Sequence, residues 1–304
     1  MSCGNHLLRD CCEYLQRHQH IYRDNVLRQL DATTLSTQVM AYTEGLLRTL
    51  HCIAHASVPS ETTIAVVVFQ PASKQQLSAY DPITLALLHP FAANPPAAAY
   101  CEAFFKPLQQ LPWWTKPCII ACDRLITDAE HRPSLSLQWR RAHTIAGDPS
   151  VLSALQEQLQ PLPMHAEISR AHIQHYLHTH QKRRQTQRQH QISNVAPHLQ
   201  HTAGTLADVT MISELRSLFP DLPLDEDQQY LLSHSEGLLC SIRHQLHARS
   251  QAQQDTLIAM HQEAIAQTLR LGDAHTLLHT LDDHSQHVAE LGTTLLNHCQ
   301  AQWA

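Results

Sequence analysis

Apolar residues recur every three or four positions early in the chain. Leu35, Val39, Tyr42, Leu46 and Leu50 form one stripe, and Leu8, Cys11, Cys12 and Leu15 form a weaker one. Both spacings predict helices with one face on a core. The pattern then shortens. Thr63-Ile64-Ala65-Val66-Val67-Val68-Phe69 is a continuous β-branched run that suits a buried strand, and Pro71 ends it. Ile83 to Leu88, stopped by Pro90, is a second run of strand length, and Cys118-Ile119-Ile120-Ala121-Cys122 is a third. Between these two, Asn94-Pro95-Pro96 marks a loop, and Pro96 is placed to open a helix carrying Tyr100, Phe104 and Phe105. From Pro149 onward the spacing is helical, and the polar stretch Gln181 to Gln191 carries a helix into a loop. The chain is therefore expected to be α+β, with a helical lead over 1–55, a small mixed-sheet domain over 56–150 and an all-α bundle over 151–304.

Composition narrows the function classes. No apolar run approaches the roughly 18 residues that a membrane-spanning helix needs. The first thirty or so residues lack a basic start followed by an apolar core, so no secretory signal is expected. A cytoplasmic protein with its nine scattered cysteines reduced is the expectation. The chain holds only seven glycines, about a third of average usage, and none is spaced as G-x-G-x-x-G or a P-loop. Glycine-rich phosphate loops are thus not expected. A net charge of −6 with no basic excess argues against nucleic acid as a partner.

Twenty-five histidines raise the question of metal. His172, His175 and His178 step by three, with His180 close by, and His279, Asp283 and His287 step by four. Histidines one helical turn apart can share Zn²⁺ or Ni²⁺. With so many histidines such spacings arise by chance, and neither H-E-x-x-H nor Cys-x-x-Cys accompanies them. The expectation is no metal site, with His172, His175 and His178 as the alternative. Cys11-Cys12 and Cys118/Cys122 read as small buried hydrophobes. Trp113-Trp114 reads as a packed loop anchor, and Lys182 to Arg188 as a solvated face that also suits an acidic partner or nucleotide phosphates.

One set of motifs is more specific. Asn194-Val195-Ala196-Pro197, followed by Ala203-Gly204-Thr205-Leu206-Ala207-Asp208-Val209, resembles the N-x-x-P and P-G-G-L-R-D-I segment of the bacterial PII-protein uridylyltransferase family. Arg243 to His247, Asp255-Thr256-Leu257, Gln262 and Leu271-Gly272-Asp273 are similar to that family's R-x-x-L-H, E-D-R-L, Q and L-G-Y-x-D run. Toward the N-terminus, Ala146-Gly147-Asp148 is similar to its A-G-D, and Leu77-Ser78-Ala79-Tyr80 to its L-x-P-Y. The likeness is collinear over roughly residues 20 to 295 and densest over 194 to 273. It implies a nucleotidyltransferase-type sheet domain followed by the family's helical region, and an activity that moves UMP from UTP to a tyrosine of a PII signal protein of nitrogen regulation.

The chemistry implied there needs a glycine turn on the triphosphate and an Asp-x-Asp that holds Mg²⁺, a hard cation that wants oxygen ligands. This chain departs at each place. Gln70-Pro71-Ala72-Ser73-Lys74-Gln75-Gln76-Leu77 stands where the family has G-G-x-G-R-G-E-L. Pro71 has no N–H, and a side chain at Gln70 obstructs close backbone approach. Ser73 and Lys74 are what remains for a nucleotide. Asp81-Pro82-Ile83-Thr84 stands at S-D-I-D, so Pro82 and Thr84 replace the two metal carboxylates, and Arg141 falls at a third acidic position. Asp81 is one residue early, which in a strand turns it to the opposite face.

The expected function is a PII-uridylyltransferase-like, catalytically degenerate protein that binds a partner, PII-like or another signalling protein, or a nucleotide, with no cofactor. The first alternative is an active Mg²⁺-dependent nucleotidyltransferase with a rebuilt carboxylate set such as Asp81 and Asp123. The second is a His-rich metal-binding or structural protein.

Overall fold

The computed structural model describes residues 2–56, 58, 63–69, 75–90, 95–109, 118–122, 125–126, 139, 142–159, 166–189, 195–222 and 224–303. They form two compact units. One comprises Met1–Ile21, Gln38–Pro71 and Asp81–Met164, and the other Tyr22–Thr37, Ala72–Tyr80 and His165–Ala304.

Helices α1 (Ser2–Leu27) and α2 (Ala32–His55) lead the chain. Leu35, Val39, Tyr42, Leu46 and Leu50 are all buried, as are Cys11 and Leu15. The i, i+3/i+4 stripes are core faces as their spacing requires. In the first unit the sheet runs β3-β2-β1-β4, built from β1 (Ala65–Phe69), β2 (Leu85–His89), β3 (Cys118–Ala121) and β4 (Ala142–Gly147). β1 is central and antiparallel to β2 and β4, and β3 runs parallel to β2. The mixed sheet and the α+β class agree with expectation. β4 is the strand that the sequence reading lacks. Its Ala-His-Thr-Ile-Ala-Gly burial alternates irregularly because its pairing with β1 shifts register between Val66 and Val67.

Ala65, Val67, Ala86, Leu88 and Ala142 pack with Trp139 and with Val151, Leu152, Leu155 and Leu159 of α4 (Pro149–Leu159). α3 (Pro95–Leu108) buries Tyr100 and Phe104, and the Tyr100 hydroxyl lies 2.6 Å from His51 Nδ1 of α2. The Ala146-Gly147-Asp148 motif serves this junction. Gly147 has φ +83°, and a Cβ on it would lie 2.0 Å from the Ile64 carbonyl oxygen, so only glycine fits. Asp148 N–H donates to that carbonyl at 2.9 Å, and the Asp148 carboxylate accepts from Ser150 N–H at the start of α4.

In the second unit, α5 (Ala166–Gln189), α6 (Leu206–Leu218), α7 (Glu226–Ser250), α8 (Ala259–Thr268) and α9 (Ala274–Trp303) share one core. α9 packs against α5, α6, α7 and α8. α7 opens with a reciprocal capping box, the Asp225 carboxylate accepting from Gln228 N–H and the Gln228 side chain from Asp225 N–H. Its second half is buried on every side from Ile242 to Ala248. Among the described residues no helix is long and apolar enough to cross a membrane.

Candidate functional site

In the first unit, the sheet end that the resemblance assigns to metal can be read strand by strand. Phe69 N–H donates to Thr84 O at 3.1 Å, and Phe69 pairs with Ala142, so Thr84, Phe69 and Ala142 form one row across three strands. Cross-strand partners share a face, and on this one the Trp139 ring stands edge-on to Phe69 at 4.6 Å. Pro82 and Thr84 are exposed, whereas Asp81 and Ile83 are buried. Asp81 therefore turns away from the side on which Pro82 and Thr84 lie, as the period of two demands. A proline ring, a lone hydroxyl and an inward carboxylate do not fit Mg²⁺, which needs convergent oxygen ligands. Ser73, Lys74, Asp123 and Arg141 lie outside the described residues, as do Trp113 and Trp114.

The same sheet carries a pair that sequence reasoning missed. His143 Nε2 on β4 lies 3.4 Å from Glu44 Oε1 on α2, and Arg48 stands 3.6 Å from the same carboxylate. The two residues are ninety-nine positions apart, and no motif joins them.

In the second unit, the motifs of the helical region converge on a buried polar hub. Asp255 Oδ1 accepts from Arg243 Nε at 2.6 Å and from His247 Nε2 at 3.1 Å. That nitrogen donates to the carboxylate, and the Ser78 hydroxyl lies 2.5 Å from Nδ1 on the other side of the ring. His244 repeats the pattern. Its Nε2 donates to Gln75 O at 3.0 Å, and its Nδ1 accepts from Tyr22 Oη at 2.5 Å. Arg243 Nη1 donates to Gln76 O at 2.7 Å. Thus R-x-x-L-H and its neighbours clamp residues 75–78, the end of the segment aligned with the family's phosphate turn. Burial by itself raises the Asp255 pKa, but the His247 hydrogen bond and the Arg243 charge outweigh it and hold the carboxyl well below the usual range.

The second motif block is structural in the same way. Gly204 has φ +76°, and a Cβ there would lie 1.7 Å from the Ser285 carbonyl oxygen of α9. Its N–H donates to Asp208 Oδ2 at 2.6 Å, while Arg183 and His180 bind Asp208 Oδ1. Leu199 N–H donates to Asp255 O, Leu257 N–H to Pro197 O, and Gln262 Nε2 to Val195 O and Leu257 O. The basic run is partly consumed here, since Arg183 holds buried Asp208 and Arg184 donates to Thr293 Oγ1.

His175 and His178 are exposed on α5, and His172 lies on the same helix with its side chain outside the description. His279 and Asp283 form an exposed pair at 2.9 Å. Among the described residues no group of three or more His, Cys, Asp or Glu is arranged to hold a metal ion. Also within this unit, a cleft of about 520 Å³ lies over α7, bordered by Tyr230, His234 and Gly237, by His284 of α9 and by Asp31. Nothing in the sequence marks it.

The family model described as GlnD PII-uridylyltransferase matches residues 171–296. That span contains Gly204, Asp208, Arg243, His247, Asp255 and Gln262. No curated protein matches the chain.

Proposed function

We propose that this PII-uridylyltransferase-like protein does not transfer UMP and works instead by binding a signalling partner, a PII-type protein being the first to test. One observation carries the reading. The aligned metal positions are exposed Pro82 and Thr84 with Asp81 turned inward, whereas in the helical region Arg243 binds Asp255 and Gly204 N–H binds Asp208. Phosphoryl and nucleotidyl transfer draw most of their rate from metal neutralisation of developing charge, and removal of such ligands abolishes nearly all of it. A match to the family model over the helical region, beside replaced metal ligands, supports a binder rather than a transferase.

The test uses the full chain with labelled UTP, Mg²⁺ or Mn²⁺ and a purified PII protein. The expected result is no label on PII, retention of PII on the immobilised chain, and no effect of Asp81→Asn on either. Label transfer above the enzyme-free rate overturns the first half of the reading, and absence of PII retention overturns the choice of partner.

A further inference from the structure

Gly237 is a glycine that nothing in the packing requires. It lies mid-helix in α7, and a Cβ placed on it would meet only the tip of the Gln75 side chain, at 3.8 Å. By contrast Gly147, Gly204 and Gly272 have positive φ, and a Cβ on Gly45 or Gly292 would come within 3.2 Å of a neighbour. Glycine inside a helix is destabilising relative to alanine, so this position loses stability with no return within the fold. What it provides is open space on the helix backbone, inside the cleft of about 520 Å³.

The walls of that cleft define what fits it. Tyr230 and His234 stack with ring centroids 5.8 Å apart and planes 5° from parallel, and the His284 ring stands 5.4 Å from that of His234. His284 is fixed by the Ser235 hydroxyl, 2.8 Å from its Nδ1. Burial, then the neighbouring His234 and His287, lower the His284 pKa against the opposing pull of Asp283, which favours the uncharged ring. Leu238, Leu269 and Leu271 supply apolar surface, and Ser233, Ser241 and Thr280 supply hydroxyls. Among the described residues the lining includes no Lys or Arg, and its one carboxylate, Asp31, is held at the start of α2 by the Thr34 N–H and hydroxyl. A row of rings wants a planar partner, hydroxyls want a polyhydroxyl one, and the Asp31 carboxylate at the rim repels phosphate.

We infer that the cleft over Gly237 binds an uncharged nucleoside-like heteroaromatic, its base beside the Tyr230–His234–His284 ring row and its sugar toward the serine and threonine hydroxyls. The inference is independent of the proposed partner and of any transfer reaction. Gln75 of the segment aligned with the phosphate turn borders the cleft, and the Asp31 carboxylate selects against the charge that a nucleotide carries.

The experiment titrates adenosine, uridine and AMP into the full chain, followed by saturation-transfer NMR and calorimetry. Adenosine or uridine is expected to bind with a dissociation constant below about 1 mM. Tyr230→Ala, at a position 72% exposed and therefore safe for folding, is expected to weaken it at least tenfold. Gly237→Leu is expected to abolish it while the melting temperature holds or rises, since leucine fills the cleft and favours the helix. AMP is expected to bind more weakly than adenosine. Lack of binding by both nucleosides, binding by either variant as tight as by the wild type, or tighter binding of AMP would each overturn the inference.

Discussion

Asp255→Asn removes one charge from the hub that holds residues 75–78 and keeps its shape. The Arg243 and Asp255 side chains are 5% and 12% exposed, so the guanidinium loses its counter-charge in a place where water cannot replace it. Breaking a buried pair from one side costs about 3–5 kcal/mol. The amide oxygen of asparagine still accepts from Arg243 Nε, which puts the expectation at the lower end, about 3 kcal/mol. With a urea slope of about 2 kcal/mol/M, the unfolding midpoint read by far-UV circular dichroism falls by about 1.5 M at pH 7.5.

Acid supplies the second reading. The Asp255 pKa is depressed in the folded chain, so its stabilisation is present above the unfolded value near 3.9 and is lost as pH falls below it toward the folded value. The gap between wild type and Asp255→Asn should therefore narrow below about pH 4. Amide exchange should quicken at residues 76–80 in the variant, because the Arg243 donor to Gln76 O and the His247 partner of Ser78 both lose their anchor. A midpoint shift under about 0.3 M, or a gap that does not narrow in acid, would refute the account of Asp255 as the hub.

Two further outcomes follow from the geometry. Gly204→Ala places a methyl group 1.7 Å from the Ser285 carbonyl oxygen at a positive φ, so the loop and α9 must part. Conformational strain and overpacking together predict a loss of at least about 3 kcal/mol, seen as a fall in melting temperature. Stability should also fall as pH drops from 8 to 5. His18, His51, His198 and His284 have lowered folded pKa values, in each case chiefly through burial. The unfolded chain takes up protons below about 6.5 that these four resist, so protonation favours unfolding. Thermal melts across that range check the sign, and a melting temperature that rises toward pH 5 would contradict it.

Local pattern carried much of this protein. The apolar stripe of α2 has one partner face and no competing period, so Leu35 to Leu50 point where spacing sends them. The β-branched run at Ala65–Phe69 is too short for a helix and bounded by breakers. Asp81 was legible in the same way, since a period of two separates it from Pro82 and Thr84 whatever surrounds them. Motif spacing likewise located Gly204, Asp208, Arg243 and Asp255 before any contact was known.

Other features had no local signal. β4 is a strand because β1 offers it hydrogen bonds, not because Ala-His-Thr-Ile-Ala-Gly alternates. Ile242 to Ala248 contain Arg243, His244, Gln245 and His247, which by composition belong on a wet surface. They are buried because α7 has neighbours on every side and because Gln75 O, Gln76 O, Ser78, Val26 O and Asp255 supply the partners that burial demands. The cleft over Gly237 is of the same kind, assembled from α7, α9, the start of α2, Gln75 and the turn after α8, with no local signal. Sequence by itself determined the elements and the identity of the motif residues, since both follow from short-range sterics and periodicity. Tertiary structure alone decided which polar groups are buried and what they hold, because the partners that offset their desolvation come from residues up to 222 positions away.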